Sequence, residues 1–223
     1  MRETIVDLSH RMIPGKPQFK LEAKCFDVTE VLPEVKHRPD IWYVLSEMTM
    51  SSHEATHVEF PYHHWKEGAD AADYPLENLI GYAVVLDFSH KKHGDQITLD
   101  EIKVLEDRMR GADMIFIRTD MDRLFRDPER WTEQPYLTAE AMQWIIDEMK
   151  PKVVGTDATG FEVPGTDYQP NHLAIFKNGI AMIESLTNLD KIGEDRVKVF
   201  ILPLPIEGID SCPVRIIATK EAN

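Results

Sequence analysis

Between Ser52 and His64 the chain reads Ser-His-Glu-Ala-Thr-His-Val-Glu-Phe-Pro-Tyr-His-His, four histidines and two glutamates in one segment that a proline interrupts. The proline limits what can fold there. Pro61 lacks an amide donor and biases Phe60 away from helix, so a helix through His57 is cut short. Upstream, Val44 to Met50 alternates apolar and polar residues as a strand does. In an extended segment His57 and Glu59 point one way and Val58 the other, whereas in a helix His53 and His57 share a face one turn apart. The segment alone leaves both geometries open. In either, His53, His57 and Glu59 form a three-ligand set of the kind that holds a catalytic zinc, manganese or similar ion with a position left for water.

Residues His53 to His57 also satisfy His-Glu-x-x-His, in which two helical histidines bind zinc and the glutamate, here Glu54, is the general base of a metalloprotease. That reading needs an amphipathic helix continuing past His57.

Elsewhere, residues 3–8, 19–29, 41–50, 82–88, 113–118, 152–156, 180–186, 196–202 and 213–219 have the β-branched or alternating apolar content of strands. Helices are fewer. Thr98-Leu99-Asp100-Glu101 is a capping box opening a helix to about Arg110, Thr138 caps a helix from Ala139 to Met149, and a third runs from about Asn171 to Lys177 before Asn178-Gly179. Strands alternating with only some helices indicate an α/β fold with a mixed sheet. Trp144, Ile145 and Met149 fall at helical spacing and are expected in the core. Glu101, Glu106 and Asp107, with Lys103 and Arg108 nearby, are expected to form a solvated face, and His90 to Asp95 an exposed turn. No repeat, low-complexity tract or linker divides the chain, so one domain over 1–223 is expected.

A formal charge of −14 argues against nucleic acid or an anionic membrane as partner, because the net field repels both. A small-molecule substrate is compatible with it. No run reaches transmembrane length and Met1-Arg2-Glu3-Thr4 lacks the apolar stretch of a signal peptide, so a cytoplasmic location is expected. Cys25 and Cys212 stand far apart outside any Cys-x-x-Cys pattern and read as ordinary, partly buried thiols.

Taken whole, the histidine-rich segment resembles the cyclase-like metal-dependent hydrolase family, which includes bacterial kynurenine formamidases and isatin hydrolases and is marked by His-x-Gly-Thr-His-x-Asp-x-Pro-x-His. His53, Thr56, His57, Pro61 and His63 stand at the matching positions, while Ala55 replaces the family glycine and Glu59 the family aspartate. Ala55 implies either that no positive φ is needed there or that one is accommodated under strain. The extra methylene of Glu59 calls for a backbone shift if its carboxylate is to ligate. Later, Asn171-His172-Leu173 and Ile183 to Leu189 look like the segments that complete a second metal position, and Ile5 to Ser9, Leu202 to Gly208 and Pro213 to Arg215 look like the family's opening strand and closing segment. The resemblance implies a swivelling β/β/α fold, metal ligands His53, His57, Glu59, His172 and Glu184, an acid/base role for His63, and an orienting role behind the ligands for Thr56. It implies one or two divalent ions, zinc or manganese, with Glu59 and Glu184 bridging two, and a homodimer or homotetramer.

The reaction so implied is hydrolysis of a C–N bond in a small amide or cyclic amide, with metal-bound hydroxide as nucleophile and His63 carrying the proton to the leaving nitrogen. Trp42, Tyr43, Phe60, Tyr62 and Trp65 flank the cluster and are candidates for an apolar substrate wall, as is the tract Gly160 to Pro170. Ile13 precedes Pro14-Gly15 where kynurenine formamidases carry an aromatic residue, which weakens an arylformamide assignment and leaves isatin-type lactams, other cyclic amides and lactones open. Two further readings stand beside this one: the zinc metalloprotease with Glu54 as base, and a metal-binding family member without turnover, in which Glu59 is the suspect change.

Overall fold

The apolar runs 80–87 and 114–118 have almost no polar face to offer solvent, and in the computed structural model they lie side by side as parallel strands at the centre of the sheet. The structure describes residues 3–221 apart from 17, 39, 164 and 194. Of the residues named above, Met1, Arg2 and Pro164 lie outside the described ones. The strands are β1 (Glu3–Asp7), β2 (Leu21–Asp27), β3 (Val44–Met50), β4 (His57–Glu59), β5 (Ile80–Asp87), β6 (Gln96–Ile97), β7 (Met114–Arg118), β8 (Tyr136–Leu137), β9 (Val153–Thr156), β10 (Ala181–Glu184), β11 (Val197–Ile201), β12 (Ser211–Pro213) and β13 (Ile216–Glu221). The helices are α1 (Val28–Val31), α2 (Leu99–Val104), α3 (Glu106–Met109), α4 (Ala139–Trp144) and α5 (Pro170–Lys177).

A nine-stranded sheet runs in the order β1-β13-β11-β5-β7-β9-β10-β4-β12. Its centre, β5 to β10, is parallel, and antiparallel pairs extend it on both sides, so the sheet is mixed as expected. Strand pleating sends alternate residues to opposite faces. Val84, Leu86, Ile115 and Ile117 therefore pack against Ile102, Met109, Met142, Ile145 and Phe176 of the helical layer. Ala83, Val85, Met114 and Phe116 join Val58, Ile183, Leu186 and Val199 in a second core on the other face. Strands β2 and β3 form a separate antiparallel pair, and no helix among the described residues is long and apolar enough to cross a membrane.

Local signals are obeyed where they are strong. The capping box forms, with Thr98 N donating to Glu101 Oε2 at 2.9 Å and Thr98 Oγ1 accepting from Glu101 N, although the expected helix is divided at Leu105 into α2 and α3. Thr138 Oγ1 accepts from Ala141 N at the start of α4, and the following turn, Ile145–Met149, widens to π geometry while keeping Ile145, Ile146 and Met149 buried. Three expectations need correction. The strand placed at 213–219 is two strands, β12 and β13, in different parts of the sheet. Glu101 forms the expected cap but is only half exposed, because it also pairs with Lys91 at 2.5 Å. Cys25 is exposed, whereas Cys212 is buried beside β4.

Candidate metal centre

Strand β4 is short and wholly buried, and it sets the site. His57 and Glu59 share one of its sides, while Val58 faces the core. Antiparallel pairing places Glu184 of β10 opposite His57. His172 enters from the first turn of α5, a helix that Pro170 opens and that Asn171 anchors by donating Nδ2–H to the carbonyls of Leu137 and Phe161, both at 2.9 Å. Turn 51–56 delivers His53, and the single helical turn Pro61–His63 delivers His63.

Every inward-facing imidazole is held from behind by an oxygen. His57 Nδ1–H donates to the Ala55 carbonyl at 2.8 Å, which leaves Nε2 facing the cluster. His172 Nδ1–H donates to Glu162 Oε1 at 2.9 Å, and the His172 amide donates to the same oxygen. His53 Nε2–H donates to Asp210 Oδ2 at 2.8 Å. The nitrogens left over converge: His53 Nδ1 lies 3.1 Å from His57 Nε2 and 2.9 Å from Glu59 Oε1. His57 Nε2 lies 3.4 Å from Glu59 Oε1 and 3.6 Å from Glu184 Oε2. His172 Nε2 lies 3.6 Å from Glu184 Oε1 and 3.9 Å from Glu59 Oε2.

Lone pairs pointing at one another need positive charge between them. The protein alone supplies only protons. Burial opposes charging His53, but hydrogen bonds to Asp210 and Glu59 outweigh it and push its pKa up to about 10. His172 is likewise opposed by burial and raised to about 10 by Glu162 and Glu184. For Glu59 burial favours the neutral acid, yet hydrogen bonds from His53 and His57 pull its pKa well below the carboxylate range. Glu59 Oε2 is buried without a hydrogen-bond partner, a costly condition for a carboxylate oxygen.

A divalent cation answers both problems. Ligands at about 2.0–2.2 Å in a tetrahedral zinc site lie about 3.4 Å apart, close to the N–N and N–O spacings observed here. Two sets of possible ligands share Glu59: His53, His57 and Glu59 on one side, and Glu59, His172 and Glu184 on the other. The donor types suit zinc or manganese. Gly160 supports the second set. Its φ is +119°, and a Cβ there would sit 2.9 Å from Glu184 Oε1 and 3.4 Å from His172 Cε1. Gly160→Ala is therefore expected to displace Glu184 and cut metal content by more than half in dialysed protein, measured by mass spectrometry. Retention of full content would show that the close approach of Gly160 is not needed to place Glu184.

All five residues proposed as ligands thus meet, and His63 stands at their rim with Nε2 3.8 Å from Glu59 Oε1. Thr56 ties the loop together by donating Oγ1–H to the Ser185 carbonyl and accepting from His10 N at 2.9 Å. His64 stands behind, stacked on Phe176 and bonded to Gln169. Ala55 resolves the question left by its sequence: its φ is +58°, so the turn keeps a left-handed residue at a cost of about 1–2 kcal/mol for the Cβ. Two carboxylates behind the ligands, Glu162 and Asp210, escaped sequence reading, because each is an isolated acid in a loop.

The metalloprotease reading is overturned. Residues 51–56 form turns, not a helix, and Glu54 points away to accept the Phe19 amide at 3.0 Å. The expected aromatic wall is corrected too. Phe60 belongs to the core against Tyr74, and Trp42 and Tyr43 are exposed. The cavity beside the cluster, about 170 Å³, is lined instead by Phe19, Phe125 and Trp131 together with His53, His57 and Glu184. Tyr62 and Trp65 are not among its lining residues. From the tract 160–170, Gly160 and Glu162 back the ligands.

The chain is similar in sequence and fold to known proteins along most of its length. A sequence profile described as "Putative cyclase" matches residues 6–163. A kynurenine formamidase of Erythrobacter litoralis is 30% identical over 164 residues, covering 74% of this chain and 71% of the relative. Cyclase-like protein 1 of Arabidopsis thaliana is 27% identical and covers 97% of this chain and 85% of the relative. Isatin hydrolase A from Labrenzia aggregata, solved bound to benzyl benzoate, superposes with a TM-score of 0.83 at 23% identity, covering 97% of this chain and 93% of that one. With the profile spanning well over half of its length, the chain belongs to the cyclase family.

Proposed function

We propose that this protein is a metal-dependent hydrolase that cleaves the C–N bond of a small amide or cyclic amide carrying a flat aromatic group. The observation that carries the reading is the set of imidazole nitrogens converging on Glu59, one of whose oxygens is buried without a partner. The amide class rests on the relatives, named kynurenine formamidase and isatin hydrolase. The flat group rests on the cavity walls Phe19, Phe125 and Trp131, with Phe19 and Trp131 meeting edge to face at 6.2 Å.

In this reading His53, His57 and Glu59 hold one ion, and Glu59, His172 and Glu184 hold a second, zinc or manganese in each. When bound, a divalent ion lowers the pKa of a coordinated water toward neutrality and polarises the substrate carbonyl. Ala55, Glu162 and Asp210 keep the ligand nitrogens aimed inward through the hydrogen bonds they accept. His63, at the rim, takes the proton of the attacking water and returns one to the leaving nitrogen, so that the amine departs neutral. Phe19 and Trp131 hold the ring and keep bulk water from that side of the cavity. Thr56 keeps the turn of His53 and His57 against the Ser185 segment. By the same likeness we expect a homodimer or homotetramer in the cytoplasm.

The test is a panel of an N-formyl anilide, an isatin-type lactam and the corresponding lactone, offered to protein before and after chelation. Hydrolysis of at least one amide, abolished by chelator and restored by zinc or manganese, is the expected result. Metal-loaded protein inert toward the whole panel would favour the family member without turnover.

A further inference from the structure

A single carboxylate joins the rim histidine to the ligand set. Asp210 Oδ2 accepts from His63 Nδ1–H at 2.7 Å and from His53 Nε2–H at 2.8 Å, and its other oxygen accepts from Ser52 Oγ at 3.1 Å. Its backbone is pinned as well, because the Asp210 carbonyl accepts from Phe60 N at 2.9 Å, and the Phe60 carbonyl accepts from His63 N at 2.9 Å. Carboxylate and imidazole therefore hang from one short stretch of backbone, which fixes their separation.

We infer that Asp210 is a positioning residue: it locks His63 as the Nδ1–H tautomer, so that Nε2 presents a lone pair toward the reacting water, and it ties that ring to the ligand His53. The inference rests on the acid/base reading of His63 and deepens it. A neutral imidazole carries one ring proton, and only the tautomer with that proton on Nδ1 leaves Nε2 able to accept. An ionised carboxylate is acceptor-only and selects that tautomer, as the orienting acid does in serine hydrolase triads.

The same three residues lie close enough to be read as a metal-binding group. Against that, the two short contacts have the length of N–H···O hydrogen bonds, and both Asp210 oxygens already have donors, whereas the unpartnered carboxylate oxygen belongs to Glu59.

Nitrogen-15 NMR of the His63 ring in zinc-loaded protein, assigned with His63→Ala, reads the tautomer directly. It is expected to show Nδ1–H in the wild type and a mixture in Asp210→Asn, whose side-chain amide can present either N–H or C=O to the ring. Asp210→Asn is expected to lower kcat about 10- to 100-fold, the range for loss of an orienting partner, with KM nearly constant and far less metal lost than in His57→Ala, because His53 loses only a supporting acceptor. In a His63→Ala background it should cost little more, since groups acting as a unit are not additive. Nδ1 unprotonated in the wild type overturns the inference and needs no variant to fold. Metal loss in Asp210→Asn equal to that in His57→Ala, or a full further loss of rate on top of His63→Ala, also overturns it. Full activity in His63→Ala alone instead overturns the acid/base reading beneath it.

Discussion

Protein purified without added metal or chelator is expected to carry a divalent transition metal, and His57→Ala and His172→Ala are each expected to lose most of it and all measurable turnover. His57 lies on β4 and His172 on α5, so a shared loss would tie two segments distant in sequence to one centre. The expected drop exceeds the about 10- to 100-fold that follows loss of a hydrogen-bonded supporter, because a nitrogen bonded to the ion is itself removed. Since the assembled site exists only in the folded chain, chelation should also lower the melting temperature of the wild type and move the variants much less. Full metal content in His172→Ala would confine the site to His53, His57 and Glu59.

His63→Ala is expected to lower kcat by about 10²- to 10⁴-fold, the usual share of a general acid/base, with metal content unchanged. Its Nε2 lies 3.8 Å from Glu59 Oε1, and its other nitrogen is engaged by Asp210. Glu54→Gln is the matched control. Glu54 accepts the Phe19 amide from a buried position, a bond that the glutamine carbonyl can keep, so the rate should change only slightly. Mass spectrometry and initial rates on the same preparations decide the matter: metal lost along with rate in His63→Ala would make His63 a ligand, and a large loss in Glu54→Gln would restore the general-base role that the fold denies it.

Much of the fold was legible where a local signal is self-sufficient. The capping box at Thr98, the cap at Thr138 and the stop at Asn178-Gly179 depend on residues within one turn of each other, and each was found in place. Strands β5, β7 and β9 declared themselves by sustained apolar content. Strand β4 did not, because three residues are too few to show alternation and its extended form is imposed by β10 and β12 on either side.

The sequence by itself determined the donor types: His53, His57 and Glu59 are close in the chain, and either an extended or a helical backbone leaves them near one another. Resemblance then pointed to His172 and Glu184. Only the tertiary structure decided which ring nitrogens face inward, since that depends on the acceptors behind them, the Ala55 carbonyl, Glu162 and Asp210. It also decided the wall of the cavity beside the cluster, where Phe19, Phe125 and Trp131 meet across more than a hundred residues of chain. Spacing along a chain reports what neighbouring residues can share, whereas hydrogen-bond direction and cavity walls are set by packing between segments whose separation carries no periodic signal.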